Sequence, residues 1–417
     1  MACRGMAYNP ASVNRSEPAP PSRNTWITRS VIGIVLATFF SDVGHEMVTA
    51  VLPLYLASIG LGAAALGVME GLADLLFSLS KLAGGMVGHR VEKKRPWATL
   101  GYLTTTIGTG AIALARSATV LIPIRAIAWF GRGFRSPLRD FLLSDEVGPT
   151  HFGRAYGMER SADMLGAVAG PLLAVVLIWF GVPFKTVIVV SLIPSLISVG
   201  AIFFMTRDRA QPVAPKAAGS PRARLPRVFW AFLVGVSLFG IGDFSRTFLI
   251  FLAARALGDT GSSAGGVMTT AVLLYALHNG VSALAAYPAG RLGDRTSKLR
   301  ILVVGYALGV LTNGLLAGFS SSIAFLVTAI VLSGVYIAIE ETMEKAVAAE
   351  LLPREVRSLG FGILACANAV GDMLSSVYVG LMLDRGHTTA AFAAPACAGL
   401  VGVLVMATFT RKEERAT

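Results

Sequence analysis

The chain has unusually little charge. Only 14% of its 417 residues are Asp, Glu, Lys or Arg, whereas 54% are hydrophobic. A soluble globular domain carries about 25% charged residues. The mean hydropathy of +0.67 therefore excludes an ordinary soluble protein and indicates a chain that crosses a membrane many times.

Cysteine and the common catalytic motifs are also scarce. The three cysteines, Cys3, Cys366 and Cys397, form no CxxC pair, so the sequence predicts neither a disulfide framework nor a metal site of that type. No Gly-x-x-x-x-Gly-Lys loop is present to cradle a phosphate, which argues against direct drive by ATP. No spacing places a nucleophile near a base, so we expect neither an enzyme nor a cofactor.

The charges that remain are mostly positive and lie on one side of the predicted spans. The formal net charge is +12. In a membrane protein such an excess collects in cytoplasmic loops and sets the orientation, so we expect no nucleic-acid partner. We expect a multi-pass protein of the plasma (inner) membrane with both termini in the cytoplasm. The basic runs that support this orientation lie near residues 89–95, 207–227, 291–300, 354–357 and 411–415.

Long apolar runs fill most of the chain. Residues 1–29 are polar and lack the apolar core of a signal peptide, so we expect a disordered cytoplasmic tail. Residues 206–227 are predicted to form a flexible basic linker between bundles at 30–205 and 228–410, and 411–417 a second tail. A spanning helix takes about 20 apolar residues. Twelve such runs lie near 30–58, 63–88, 97–116, 118–142, 154–180, 184–205, 228–254, 265–290, 299–319, 322–349, 358–383 and 389–410.

The two sets of six runs repeat one another. A shift of 205 residues places Asp163 on Asn368 and Gly166 on Gly371. A parallel repeat of this length predicts an all-α membrane protein with twelve transmembrane helices in two pseudo-symmetric six-helix bundles. Such a protein binds its substrate at the bundle interface. The same shift aligns a loop motif, setting Gly85, His89, Arg90 and Lys93 on Gly290, Asp294, Arg295 and Lys298.

Twelve spans, a central basic linker and a Gly-x-x-x-Asp-Arg loop resemble the major facilitator superfamily. The resemblance implies a gating role for Asp294 and Arg295 between the eighth and ninth spans, and for His89 and Arg90 between the second and third. His89 stands where the family has aspartate. The salt bridge that the family builds at that position is therefore in question for the first half.

The fifth span carries a second motif. Gly166, Gly170 and Pro171 resemble the family's antiporter motif, Gly-x-x-x-Gly-Pro, which implies export by proton antiport. Glycines let helices approach closely, and the proline can bend the helix. We expect this face to form a tight seal against a helix of the other half. The resemblance also implies a monomer.

Three ionisable residues share one face of the first span. Asp42, His45 and Glu46 stand at positions i, i+3 and i+4, which places them together on a helix. Two carboxylates and an imidazole suit proton or substrate coupling. A divalent cation is an alternative, and a structural pair with an arginine of a neighbouring helix is another.

Four arginines mark the fourth span. Arg125, Arg132 and Arg139 recur every seven residues, with Arg135 between the last two. Charges at membrane depth face a protein interior or a watery cavity, so this stripe should line a polar route. Arg132, near mid-membrane, could hold an anionic substrate group or neutralise Asp42 or Glu46.

The repeat predicts how the inner gate is built. It sets Arg135 on Glu340 and Arg139 on Glu344, and it sets Asp140 on Lys345. Because the charges are exchanged between the halves, we expect salt bridges across the cytoplasmic interface. We expect Arg135, Arg139, Glu340 and Glu344 to act in gating.

Other deep charges complete the candidate site. Asp74 of the second span, Asp163 of the fifth, and Asp243 and Arg246 of the seventh are further candidates for coupling or substrate binding. Asp243 follows Gly240 and Gly242, where we expect the helix to loosen and expose carbonyl groups. His278 stands alone on an apolar face and is interpreted as an interior histidine.

Together these features predict a secondary active transporter that exports a small solute by proton-coupled alternating access. Its partners are then a small-molecule substrate, protons and the lipid bilayer. The alternatives are a divalent metal cation exporter and a non-transporting membrane receptor or scaffold.

Overall fold

The structure is a computed structural model that describes residues 26–59, 63–209, 224–244, 248–249, 252, 264–319 and 322–414. Within these residues the chain is mainly helical and contains no β-strand. The α-helices with described bounds are α1 Arg29–Ser58, α2 Ala63–Arg90, α3 Arg95–Ala111, α4 Ala118–Glu146, α5 Phe152–Trp179, α6 Phe184–Val190, α7 Leu192–Met205, α8 Arg227–Gly240, α9 Ala264–Arg295, α10 Lys298–Phe319, α11 Ile323–Leu351, α12 Arg354–Asp384 and α13 Thr388–Glu414.

Most of these helices suit a bilayer. Seven segments among the described residues are long and apolar enough to cross a membrane, including α5, α10 and the joined α6–α7. Leu172, Val176 and Leu404 are exposed on the outer surface, as expected of side chains that face lipid. The helix α4 is absent from this set because each of its 18-residue windows carries at least three charged side chains.

One span loosens where the sequence predicts it. The helix α8 ends at Gly240, and Asp243 lies beyond its end. The side-chain amide of Asn313 donates a hydrogen bond of 2.8 Å to the carbonyl oxygen of Gly242. This bond gives the Gly242 carbonyl, which lies just beyond the last turn of α8, a partner in α10. Asp243 is therefore buried beyond the end of α8, in the protein interior.

The helices form two halves. The N-terminal half contains α1–α7 and the C-terminal half contains α8–α13. The main contacts between them join α5 to α9 and α11, and α12 to α2 and α4. Asp208 and Arg209, which follow α7, contact the starts of α3 and α12 and the end of α4. We call the side that holds these helix ends the linker side.

Glycines bring the two halves together on the linker side. A Cβ atom built on Gly85 of α2 would lie 2.9 Å from the Cα of Gly362 in α12. A Cβ on Gly290 of α9 would lie 2.0 Å from the carbonyl oxygen of Gly153 in α5. Both crossings therefore depend on the absence of a side chain, and Gly85 and Gly290 are related by the repeat shift.

We predict that Gly290→Ala opens the linker side. The added methyl group must displace the backbone of α5, because the nearest atom is a carbonyl oxygen and not a flexible side chain. Spin labels at Lys93 and Thr296, one on each half and both exposed, should move apart by several ångströms in the variant.

Gly314→Ala is the matched control, since a Cβ at that helical position meets nothing within 4 Å. It should leave the label distance unchanged. An unchanged distance in Gly290→Ala as well would show that the glycine contact does not hold the halves together.

Candidate functional site

A cavity of about 300 Å³ lies between the two halves. Its two walls differ in charge. The wall formed by the N-terminal half has five cationic side chains and two carboxylates, and the wall formed by the C-terminal half has five carboxylates and one lysine. We call these the cationic wall, made of Lys81, Arg132, Arg135, Arg139, Asp140, Arg160 and Asp163, and the acidic wall, made of Asp243, Glu340, Glu341, Glu344, Lys345 and Asp372.

Two carboxyl groups and an arginine meet at the base of the cationic wall. Arg132 Nη1 lies 2.5 Å from Asp42 Oδ1, and the Asp42 side chain is buried. The Asp163 carboxyl lies near that of Asp42 and pairs at 2.5 Å with Arg160. We call Asp42, Arg132 and Asp163 the carboxyl cluster. The pairing of Arg132 with Asp42 is one of the alternatives that the sequence offered, and the structure adds Asp163 to it.

The glycines of α5 place the carboxyl cluster. A Cβ on Gly166 would lie 2.7 Å from the carbonyl oxygen of Phe39, and one on Gly170 would lie 2.7 Å from that of Val43. The two glycines therefore pack α5 onto α1 of the same half. The predicted seal of this motif against the other half is wrong, because the contact of Gly166 and Gly170 is with α1. Pro171 follows them within α5.

The other two residues on this face of α1 point to different neighbours. The buried His45 ring meets the Trp129 ring of α4 edge to face, with 5.0 Å between centroids. Glu46 lies against Gly170 of α5. Within the described residues no three His, Cys, Asp or Glu side chains are grouped to hold a metal ion.

The arginines of α4 face the protein interior, as their spacing predicts. Arg125 is fully buried with its guanidinium 5.3 Å from the Trp129 ring centre. Arg135 donates a 2.6 Å hydrogen bond to the Ser41 hydroxyl and lies 3.8 Å over the Tyr102 ring. Arg139 pairs with Glu159 at 2.9 Å and with Asp140 at 3.1 Å.

The predicted exchange of charges across the interface is present in part. Lys345 Nζ lies 3.8 Å from Asp140 Oδ1, so this symmetry-related pair does meet, and it also lies 3.5 Å from Glu159. Arg139, however, pairs within its own half. The carboxylate of Glu344 instead accepts 2.5 Å hydrogen bonds from Tyr306 and Asn368. Among the described side chains, the expected salt bridges across the interface are thus formed here by Lys345 and not by Arg135 or Arg139.

A further bridge crosses between the halves through a residue that the sequence analysis did not single out for this role. Arg160 Nη1 lies 2.5 Å from Asp163 in its own half and 2.8 Å from Glu341 of α11. The pair was missed because Arg160 and Glu341 are not related by the repeat shift. No sequence signal other than their depth in apolar runs could have found them.

The two loop motifs behave differently at the linker side. Asp294 accepts hydrogen bonds from the backbone N–H groups of Gly153 and Arg154, at 2.8 and 2.9 Å, at the start of α5. A carboxylate at a helix N-terminus is stabilised by the helix dipole. His89 instead places Nδ1 2.9 Å from the carbonyl oxygen of Glu355 in α12. Both motif residues therefore join the halves, but His89 does so without a carboxylate.

Other predicted residues have less defined roles. Arg90 and Arg295 end their helices and are exposed. Arg246 and the side chain of Asp74 lie outside the described part of the chain. Asp243 accepts a 2.8 Å hydrogen bond from the Tyr336 hydroxyl. His278 is buried and lies 3.1 Å from the Ser333 hydroxyl, as an interior histidine should.

A bidentate ion pair joins α4 and α12 at the linker side. Arg354 donates through Nε and Nη2 to the two carboxylate oxygens of Asp145, the second at 2.8 Å. Asp145 ends α4 and Arg354 begins α12, so each charge opposes the dipole of its own helix. Burial, and then repulsion from Arg354, lowers the pKa of the nearby Lys94 ammonium. The Asp145–Arg354 pair therefore stabilises the contact between the halves and not the helices that carry it.

A helical membrane protein whose two repeated halves enclose a charged cavity has the architecture of a secondary transporter. The family model of the Major Facilitator Superfamily matches residues 34–277 and 244–417. The chain belongs to this superfamily, and it is a membrane transporter and not an enzyme. This finding favours transport over the receptor or scaffold alternative.

Individual relatives are distant but extend over most of the chain. An uncharacterized MFS-type transporter of Methanocaldococcus jannaschii is 23% identical, over 85% of this chain and 89% of its own length. A multi-drug resistance efflux pump PmrA homolog of Lactococcus lactis is 24% identical, over 70% of this chain and 72% of its own length. The human organic anion transporter MFSD10 (TETRAN) has the same fold, with a TM-score of 0.72 and 15% sequence identity. The match covers 93% of this chain and 100% of that structure.

We predict that exchanging the charges of the Asp145–Arg354 pair preserves the closed linker side. Asp145→Arg alone should place two guanidiniums together and lower the thermal unfolding midpoint, by a destabilisation of about 1–3 kcal/mol. Asp145→Arg combined with Arg354→Asp restores the pair and also aligns both charges with the helix dipoles. The midpoint of the purified protein should then return to the original value or exceed it.

Proposed function

We propose that this transporter exports a small solute in exchange for protons, by alternating access of the cavity to the two sides of the membrane. The observation that carries the proposal is the carboxyl cluster at the cavity wall. Two carboxyl groups placed close together repel when both are ionised, and a single proton between them removes this repulsion. The pair of Asp42 and Asp163 is thus suited to bind and release one proton per cycle.

Arg160 offers a route from the proton to the conformational change. It is shared between Asp163 of the carboxyl cluster and Glu341 of the opposite half. Asp163 and Glu341 compete for the guanidinium of Arg160, so a change in the charge of Asp163 changes how strongly Arg160 is held by Glu341. Protonation then changes the stability of the contact between the halves, which is coupling in the thermodynamic sense.

The orientation and direction of transport rest on further observations. The basic loops on the linker side, from Arg90 to Arg95 and around Arg354, favour a cytoplasmic location in the plasma membrane. With the linker side closed by glycine contacts and ion pairs, we expect access to the cavity in this state from the opposite side of the membrane. Export is supported by the Gly-x-x-x-Gly-Pro motif and by a relative named as an efflux pump.

A solute fits the cavity better than a divalent cation does. Asp42 is paired with Arg132, and His45 packs on Trp129, so the residues that suggested a metal exporter are turned to other partners. The described part of the chain offers no metal-ligating group of three. Cavities near 300 Å³ suit small organic molecules.

We predict that Asp42→Asn with Asp163→Asn separates transport from proton movement. In proteoliposomes with an imposed pH gradient, the double variant should lose gradient-driven solute accumulation and solute-dependent proton flux by about tenfold or more. Exchange of labelled for unlabelled solute should persist, because that reaction needs no net change in protonation. A mixed panel of organic solutes and divalent metals serves as the substrate set.

Asp384→Asn provides the control, since this carboxylate is exposed at the end of α12 and away from the cavity. Solute transport by this variant should be coupled to proton movement as in the unmodified protein. Continued proton coupling in the double variant would contradict the assignment of Asp42 and Asp163, and transport of a metal without any solute would support the cation exporter instead.

A further inference from the structure

Two opposite charges face the cavity from equivalent positions of the two halves. Arg135 of α4 and Glu340 of α11 are related by the repeat shift, and both line the cavity. Both are buried. Yet within the described side chains neither forms a salt bridge, whereas their neighbours on the same helices, Arg132, Arg139 and Lys345, all do.

Arg135 is held in place without a counter-ion. Its Nη2 donates to the Ser41 hydroxyl, and its guanidinium lies 3.8 Å over the Tyr102 ring. Stacking on an aromatic ring and one hydroxyl fix the orientation of the guanidinium without a salt bridge to any described side chain. A guanidinium positioned in this way presents its other N–H groups to an anionic group in the cavity.

Glu340 is in the complementary situation. Its neighbours on the acidic wall of the cavity include Asp243, Glu344 and Asp372. Asp243 accepts a bond from Tyr336, and Glu344 accepts bonds from Tyr306 and Asn368. Glu340 Oε2 is buried and has no hydrogen-bond partner. A buried carboxylate oxygen without a donor is destabilising, so Glu340 offers an open acceptor to a donor group of a molecule bound in the cavity.

We propose that the transported solute is a small zwitterion, whose anionic group binds Arg135 and whose ammonium group binds Glu340. This inference rests on the proposed function, because it assigns the substrate class of the same cavity. The opposed walls orient a dipolar molecule in one direction across the interface. A molecule held in this way contacts both halves, so its binding depends on their relative position, as alternating access requires.

Binding to the full-length purified protein tests the charge pattern directly. The probes are unbranched ω-amino carboxylates of increasing length, with alkylamines and alkanoates of matching length, and the readout is the Kd from isothermal titration calorimetry. We expect one length of ω-amino carboxylate to bind at least about tenfold more tightly than either singly charged analogue. The preferred length reports the separation of the two charged groups.

The variants assign the two ends of the solute. Glu340→Gln should weaken binding of that ω-amino carboxylate about tenfold and leave alkanoate binding unchanged. Arg135→Lys keeps the charge but loses the planar fork of the guanidinium. It should weaken binding of the ω-amino carboxylate and of the alkanoate and leave alkylamine binding unchanged. Glu355→Gln is the control, because this side chain is exposed at the start of α12. Each variant is used only as a monodisperse protein in size-exclusion chromatography.

The outcomes separate this inference from the proposed function. Equal binding of alkylamine and ω-amino carboxylate, no binding by any ω-amino carboxylate, or unchanged binding in Glu340→Gln would each overturn the zwitterion. Proton-coupled transport of a singly charged solute would leave the proposed function standing while this inference fails. Zwitterion binding and exchange without proton movement would support this inference and contradict the proton coupling.

Discussion

Charge buried at membrane depth needs a partner, and this need organises the protein. An isolated ion inside a bilayer is destabilised by several kcal/mol, so each deep guanidinium must meet a carboxylate, a hydroxyl or a ring. Arg132 meets Asp42, and Arg139 meets Glu159. Lys345 reaches across to Asp140 and Glu159. Because some of these partners belong to the other half, the need for pairing also decides how the halves sit together.

Close backbone contact complements these ion pairs. The glycine crossings of α2 with α12 and of α5 with α9 remove the side chains that would hold the halves apart. Contacts of this kind are short in range and are lost after a small separation, whereas ion pairs act over several ångströms. The linker side therefore has two kinds of contact, one that fixes the closed geometry and one that continues to attract as the halves begin to part.

Much of this arrangement could be predicted from the sequence, for reasons that are local or periodic. The spacing of the α4 arginines requires an interior stripe, and the glycines before Asp243 predict the end of α8. The sequence did not predict which charged side chains pair with each other. Arg139 pairs with Glu159, and Arg160 with Glu341, because of how α4, α5 and α11 are rotated about their axes, and a repeat shift carries no information on rotation. The same limit explains why Gly166 was assigned to the wrong neighbouring helix.

The position of Arg160 links the carboxyl cluster to the opposite half. Its guanidinium touches Asp163, which adjoins Asp42, and it also touches Glu341. In the proposed mechanism, a proton on the carboxyl cluster and a solute at the acidic wall would act on this short chain of charges from opposite ends. A cationic group near Glu340 would reduce the negative potential that Glu341 shares with its neighbours, and loss of the proton would increase the negative charge at Asp163. Both changes would draw Arg160 toward its own half, so solute binding and proton release would favour the same rearrangement, which is the linkage that the proposed exchange of solute for protons needs.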